Sequence, residues 1–496
     1  MMNKRGLSLV EMLAIIGLLG MLIVIVVPTI IHLFNEQEKE IEQVSNEVVS
    51  EVVKLYIEQK PNSYSLYEGD IYCLLVNDLI EEEYLILGFI QDSKYYVETD
   101  ILEVKVLKNK QISVMVNSGC QPKSGVDFYH DDSGAERPVI KDNLIPIKFD
   151  VTGIIKADIS EQWYDYEIKQ WANAVLVTDE SYSSYQGDYT GLIDEEDILG
   201  HFVWIPRFRY QLFNVESSLI AEESISVRFE NIRSVKATNE ENGKWHTHPA
   251  FSFGSKELTG FWFGKFTTTG TNSIVTVLEN SAMLRNQYIA DHYTAIGNFQ
   301  LNFDLLNTRI SKNTEWGAVV YLANSIYGNE VEIWSNPNSG YLTGCAGNTA
   351  NPGSTATCNQ FDSENGLKAS TTGNVYGVYD MSGGSYESVM GVMLELSGVL
   401  IDVAESTFSE INQIEKKYLN LYLFGTTYND SDAYQRRVLG DATSETRNWF
   451  SNDQEFIYHQ NSFFLRGGNI NNPGIFSFNY SPGNITSGFR ITISEE

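Results

Sequence analysis

The sequence predicts an α+β fold in two parts: a long N-terminal helix with a small antiparallel sheet, then a linker and a large loop-rich domain. An apolar run from Met12 to Phe34 predicts the helix, and alternating runs at 101–106 and 112–116 predict strands. Aromatic segments punctuated by Gly, Asn and Ser predict the loop-rich domain. We place the first domain at 7–120, the linker at 121–143 and the large domain at 144–496.

The apolar run is long enough to cross a membrane, which takes about 20 helical residues. Lys4 and Arg5 precede it, so the positive-inside bias keeps the N-terminus in the cytoplasm and sends the remaining chain outward. Glu11 lies near the start of the run, where a carboxylate is costly in lipid unless it finds a positive partner. Glu11 is therefore a functional candidate, the alternative being a plain single-pass anchor.

The stretch Gly6-Leu7-Ser8-Leu9-Val10-Glu11, with Pro28 further on, resembles the class III leader of type IV pilins and pseudopilins. The resemblance implies that a prepilin peptidase removes residues 1–6 and methylates Leu7, and that Glu11 neutralises the terminal amine of a neighbouring pilin subunit. The expected partners are that peptidase, other pilin subunits, and the membrane through a helix over 7–59. The expected location is the cytoplasmic (inner) membrane before assembly and the cell surface or pilus afterwards.

Helical periodicity continues after the apolar run and fades near Pro61. In the large domain the pattern predicts helices over 314–323 and near 390–403. We find no self-similarity of fixed period, so we predict one large domain rather than an array of repeats.

The chain of 496 residues carries a formal net charge of -31, which argues against a nucleic-acid partner because phosphates require a basic surface. Its four cysteines are even in number and lie outside the predicted membrane segment. They can pair as Cys73 with Cys120 and Cys345 with Cys358, and the alternative is four free thiols.

Three motifs in the last third of the chain occur together: Asn374 to Glu387 (NVYGVYDMSGGSYE), Phe464 to Asn469 (FLRGGN) and Ser487 to Arg490 (SGFR). Together they resemble the formylglycine-generating-enzyme fold, which has a C-type-lectin-like architecture, over residues 145–496. That enzyme holds copper with a cysteine pair near its C-terminus, and no cysteine lies between Arg466 and Arg490. We therefore expect neither formylglycine formation nor a redox cofactor.

A surface-tethered enzyme of the formylglycine-generating or non-haem iron type remains the alternative to a binding protein. His246 and His248 would share one face of a strand, where they could serve a metal. The following Pro249-Ala250-Phe251 segment favours a packed or exposed pair instead.

Asp380, Gly383, Ser385 and Glu387 match the D-x-x-G-x-x-x-E loop that holds a structural calcium in the resembled family. Oxygen ligands on a tight Gly-rich turn suit calcium. The alternative is that Asp380 caps a helix and Glu387 faces solvent. This sequence has Gly384 and Tyr386 where the family usually has Asn and Trp.

The segment after Arg466 concentrates Asn, Ser and Tyr with aromatic residues, side chains that bind by adaptable hydrogen bonds and rigid apolar contact. It resembles the variable region of proteins that diversity-generating retroelements remake, and the alternative is an ordinary Asn-rich loop. The predicted ligand-binding residues are Asn469, Asn471, Asn472, Phe476, Phe478, Asn479, Tyr480 and Asn484.

The sequence as a whole predicts a minor or tip pilin-like subunit with an adhesin head. The head would bind an extracellular protein or carbohydrate. A pseudopilin of a secretion or DNA-uptake machine is a further alternative, although the acidic charge argues against direct DNA contact.

Overall fold

The computed structural model divides the chain into two compact units, residues 1–128 and 129–496. The predicted leader, the apolar run, and Gly6, Leu7 and Glu11 lie outside the residues that the structure describes. The described residues are 46–58, 71–81, 84–85, 96–97, 99–107, 111–117, 119–120, 129–141, 143–186, 189–211, 225–232, 234–239, 243–285, 287–303, 307–347, 357–423 and 438–494.

The first unit packs a helix, α1 (46–58), against a three-stranded antiparallel sheet. Its strands are β1 (Ile71–Leu75), β2 (Ile101–Val106) and β3 (Ile112–Val116), in the order β1-β2-β3, and helix α2 (Val76–Glu81) follows β1. Val49 and Val53, four residues apart on one face of α1, are fully buried in the same core as Leu102 and Val104. The predicted bounds of β2 and β3 are confirmed.

The predicted α+β fold class is wrong for the described part of the chain, which is mostly strands with few and short helices. Among the described residues no helix has the length and apolar composition that a membrane crossing requires. The long helix expected over 7–59 is therefore not found there: residues 46–58 are helical, and 1–45 lie outside the description. The second unit forms mostly strands because of its composition, since its β-branched and aromatic residues pair in sheets.

The second unit contains one seven-stranded and one five-stranded sheet. The strands of the larger sheet are β4 (Leu144–Asp150), β5 (Gly153–Lys156), β6 (Asn173–Val177), β7 (Ile198–Pro206), β13 (Gly260–Gly264), β16 (Arg309–Ile310) and β22 (Ile491–Ile493). Their order is β16-β22-β13-β7-β6-β4-β5, and all pairs are antiparallel.

The strands of the smaller sheet are β17 (Glu387–Leu394), β18 (Asn420–Leu423), β19 (Phe463–Gly468), β20 (Pro473–Ser481) and β21 (Gly488–Phe489). Their order is β18-β17-β19-β20, and β21 lies beside β17. Strand β17 replaces the helix that we predicted near 390–403. Every residue of β17 is buried, and a continuous apolar run does not distinguish a buried strand from a buried helix.

Among the described residues, the other elements of the second unit are short strands in small sheets, α-helices and short 3-10 helices. The strands are β8 (Phe208–Gln211), β9 (Val227–Phe229), β10 (Trp245–Thr247), β11 (Ser252–Phe253), β12 (Lys256–Glu257), β14 (Thr269–Gly270) and β15 (Val275–Thr276). The α-helices are α3 (Asp179–Tyr182), α4 (Ile289–Phe303), α5 (Asn313–Ala323) and α6 (Asp402–Thr407). The prediction of a helix at 314–323 is confirmed by α5.

The core of the second unit is built from tryptophans that also satisfy their indole N–H groups. Trp204 on β7 lies opposite Trp262 on β13, with ring centroids 5.4 Å apart. The Trp204 indole donates to the Glu136 carbonyl at 3.0 Å and the Trp262 indole to the Val139 carbonyl at 2.6 Å. Glu136 and Val139, which we expected in the linker, thus belong to the second unit and are hydrogen-bonded to its core.

Disulfides join Cys73 to Cys120 in the first unit and Cys345 to Cys358 in the second. These are the two pairs that the sequence analysis proposed ahead of four free thiols. Each bond closes a loop within its own unit and so reduces the entropy of the unfolded chain.

Candidate functional site

The loop 382–386 (Ser-Gly-Gly-Ser-Tyr) connects Asp380 to the start of β17. Gly383 and Gly384 have φ values of 79° and 65°, and a Cβ on Gly383 would lie 2.7 Å from the Asn336 carbonyl oxygen. The Gly383 amide donates to the Gly467 carbonyl at 2.8 Å, and the Gly384 amide donates to Asn336 at 2.7 Å. The loop is therefore held beside the β19–β20 hairpin.

Asp380 and Glu387, at the two ends of the predicted calcium motif, are buried and bonded to protein groups. The Asp380 carboxylate accepts hydrogen bonds from the Gly344 amide at 3.0 and 3.1 Å and from the Asn336 side chain at 3.1 Å. Burial raises the pKa of Asp380 to about 6, although these donors lower it. The Glu387 carboxylate accepts from the Arg490 guanidinium at 2.7 and 3.1 Å and from the Thr267 hydroxyl at 2.8 Å.

These contacts do not fit a calcium ion held by the predicted residues. A guanidinium 2.7 Å from Glu387 occupies the carboxylate and would repel a divalent cation. The Ser385 hydroxyl donates to the Tyr386 carbonyl at 3.3 Å. The sequence analysis expected Glu387 either to bind calcium or to face solvent. Glu387 is instead buried in an ion pair with Arg490.

The turn of the β19–β20 hairpin presents several of the predicted ligand-binding residues. The Asn469 side chain accepts from the amides of Asn471 and Asn472 at 2.8 and 3.1 Å, and both of those residues are exposed. The side-chain amides of Asn472 and Asn479 lie 3.3 and 3.5 Å from the same Asp453 carboxylate oxygen. The turn and strand β20 thus place two asparagine side chains, those of Asn472 and Asn479, against one acidic side chain.

Tyr386 lies on the same surface and was missed as a site residue in the sequence analysis. Its side chain is half-buried, and its pKa is raised first by burial and then by the negative charges of Asp453 and Glu455. The loop that carries Tyr386 is itself hydrogen-bonded to the hairpin, from the Gly383 amide to the Gly467 carbonyl at 2.8 Å. We call Tyr386, Asp453, Glu455, Asn469, Asn471, Asn472 and Asn479 the ligand face.

A second group of side chains lies near the other flank of loop 382–386. The Arg285 guanidinium lies 3.7 Å from the ring centroid of Tyr341, and Tyr288 is exposed. Backbone bonds bring this segment toward Tyr386: the Ser487 amide donates to Gln287 at 3.1 Å and the Gly488 amide to Tyr386 at 2.8 Å.

The other predicted ligand-binding residues are not gathered on the ligand face. Phe476 and Phe478 are fully buried, since this part of β20 packs into the core, and Phe476 contacts Trp449 at 5.1 Å between ring centroids. Tyr480 packs edge-on against Tyr458 at 4.8 Å. Asn484 is exposed beyond the opposite end of β20 from the turn.

The histidine pair is packed among aromatic rings. His248 is fully buried, its Nδ1 accepts from the Ala250 amide at 3.2 Å, and burial holds its pKa well below the ordinary value. Both His246 and His248 face Tyr210, with ring centroids 5.8 and 5.4 Å away. In the described ranges no group of three or more His, Cys, Asp or Glu side chains is arranged to hold a metal.

Neither a scan against protein-family models nor a search of curated proteins found a match to this chain.

We predict that Glu387→Gln lowers the free energy of unfolding of the second unit by about 3 to 5 kcal/mol, because it leaves the buried Arg490 charge uncompensated. A calcium chelator should leave the melting temperature unchanged. Thermal and denaturant unfolding measure both effects, with the exposed Glu410→Gln as the matched control. A fall in melting temperature on chelation, reversed by added calcium, would contradict our interpretation of the loop.

Proposed function

We propose that this chain is a minor or tip subunit of a pilin-like assembly whose second unit binds an extracellular protein or carbohydrate through the ligand face. The observation that carries the proposal is that Asn472 and Asn479 meet Asp453 on the β19–β20 hairpin, to which the loop carrying Tyr386 is hydrogen-bonded. Amide groups on the hairpin and the phenol of Tyr386 on loop 382–386 provide hydrogen bonds and apolar contact at low entropic cost.

The N-terminal part of the proposal is supported by the sequence alone. Lys4 and Arg5 before an apolar run, Gly6 at a cleavage position and Glu11 five residues into the processed chain are the features of a pilin-type leader. Prepilin peptidase, other pilin subunits and the membrane are the partners that this proposal requires.

The buried motif residues of the second unit support a binding role. The motif residues Arg466, Arg490 and Glu387 are all fully or almost fully buried and hydrogen-bonded to protein groups. The exposed residues of the ligand face can therefore be replaced without disturbing these buried contacts. The enzymatic alternative would require stoichiometric copper or iron in the purified protein together with turnover, and metal analysis distinguishes the two.

We also propose that the exposed asparagines of the final segment are diversified. Asn471, Asn472 and Asn484 are exposed, so their replacement creates no cavity in the core. A reverse transcriptase gene beside a near-repeat of the last codons would support diversification, and a neighbourhood without either would count against it.

Replacing Glu11 by Ala should leave the leader cleaved but prevent incorporation into filaments, since the terminal amine of the adjoining subunit then lacks its counter-charge. Mass spectrometry of the N-terminus and immunodetection in sheared filaments measure the two steps. Glu58→Ala, on the exposed side of α1, is the matched control. Normal incorporation of the Glu11 variant would refute the assembly role.

Tyr386→Ala and Asn479→Ala should each weaken binding about tenfold or more, as truncation of a central contact does. The measurement is binding of the purified protein to immobilised oligosaccharides and extracellular matrix proteins, with melting temperature recorded in parallel. Tyr189→Ala, which removes another partly exposed tyrosine, should bind like the parent. Parent-like binding by both face variants at unchanged stability would remove the ligand face from the proposal.

A further inference from the structure

Lys265 is an unusual residue because its whole side chain is buried in the second unit. It directly follows β13, and its amide donates to the His201 carbonyl of β7 at 2.9 Å. Its Nζ lies 5.0 Å from the ring centroid of Phe149 and 5.4 Å from that of Tyr379. Lysines are almost never fully buried unless they are paired, so the surroundings of this amine require an explanation.

The amine of Lys265 meets the side chain of Asn173, the first residue of β6. Nζ lies 2.9 Å from Asn173 Oδ1, and Asn173 is 1% exposed. Asn173 and Phe263 both lie opposite Val203 of β7, so Lys265, two residues beyond Phe263, lies on the same face of the sheet as Asn173. The side chain of Lys265 therefore spans β7 from one neighbouring strand to the other.

The geometry around the two groups suits nucleophilic attack on the Asn173 carbonyl carbon. Cγ is one C=O bond of about 1.2 Å from Oδ1, so the hydrogen bond to Oδ1 places Nζ roughly 3 to 4 Å from Cγ. The two hydrogens of the Asn173 amide are held by the carbonyls of Trp171 at 3.0 Å and Tyr376 at 2.8 Å, which fixes the rotation of the group. The Lys265 amine is held by the carbonyls of Val375 and Gly377.

The electrostatics also suit an amine nucleophile, which must be uncharged to react. Burial holds the pKa of Lys265 well below its ordinary value, and the negative charge of Glu279 opposes that shift in part. The Glu279 carboxylate itself lies 2.9 Å from Nε2 of His201. Glu279 is thus placed to influence the protonation of Lys265 without lying in the reacting pair.

We propose that Lys265 and Asn173 form an intramolecular amide bond. Nζ bonds to Cγ of Asn173, the Cγ–Nδ2 bond breaks, and Nδ2 leaves as ammonia after taking one proton from Nζ. No oxidant, reductant or cofactor is required, and the loss of ammonia makes the step effectively irreversible. The bond would connect β13 to β6 across β7, and it is independent of the function proposed for the ligand face.

The competing interpretation is an ammonium ion held by three carbonyl oxygens without a covalent bond. The two differ in mass, because the cross-linked chain is lighter by one ammonia. Intact-mass measurement on the purified full chain, denatured and with its disulfides reduced, should show that deficit, and peptide mapping should find one branched peptide containing both residues. A mass equal to that of the sequence, processing allowed for, would overturn the proposal.

Substitutions identify the two residues that are bonded. Asn173→Ala and Lys265→Met should each restore the full mass, whereas Lys312→Arg, at another buried lysine, should keep the deficit. Asn173→Asp should form the same bond with loss of water in place of ammonia, which keeps the test valid if the truncating variants fail to fold. Retention of the deficit in Asn173→Ala would also overturn the assignment.

Discussion

The buried ion pair of Arg490 with Glu387 is the interaction on which the second unit depends most directly. Glu387 begins β17 of the smaller sheet, and Arg490 lies immediately before β22 of the larger one. The guanidinium also donates to the Gly264 carbonyl at 2.9 Å, at the end of β13. Because a buried charge must keep its partner, the pair fixes the ends of strands from both sheets relative to each other.

The ion pair has a direct consequence for the candidate site. Loop 382–386 ends where Glu387 is fixed, and Gly383 and Gly384 hold it against the segments at Gly467 and Asn336. Tyr386 is consequently presented beside Asp453 and the asparagines of the hairpin. The buried motif residues thus hold the loop and the hairpin in place. The side chains available for recognition are those that the loop and the hairpin expose at the surface.

Lys265 connects the Arg490–Glu387 ion pair to the larger sheet. Its carbonyl accepts from Arg490 at 3.3 Å, and its amine reaches Asn173 on β6. A covalent bond at this point would join β6 to the end of β13 within the larger sheet. An amide bond of this kind, unlike a disulfide, is not broken by reduction.

Local patterns were sufficient for β2, β3 and α5, where alternation or helical periodicity is clear. They failed at β17, which is buried on both faces and so has no hydrophobic periodicity. They also predicted Phe476 and Phe478 as ligand-binding residues, although both side chains point into the core. Asp453 was missed because it follows no motif and reaches the asparagines only through packing alongside β20.

The sequence by itself determined the residue types of the apolar N-terminal stretch, the motifs and the Asn-rich final segment, because these are properties of short consecutive stretches. Only the tertiary structure decided that Glu387 pairs with Arg490, that Lys265 meets Asn173, and that Tyr386 joins the ligand face. These contacts link residues about 100 positions apart or lie on surfaces formed by several segments, and no local spacing encodes them.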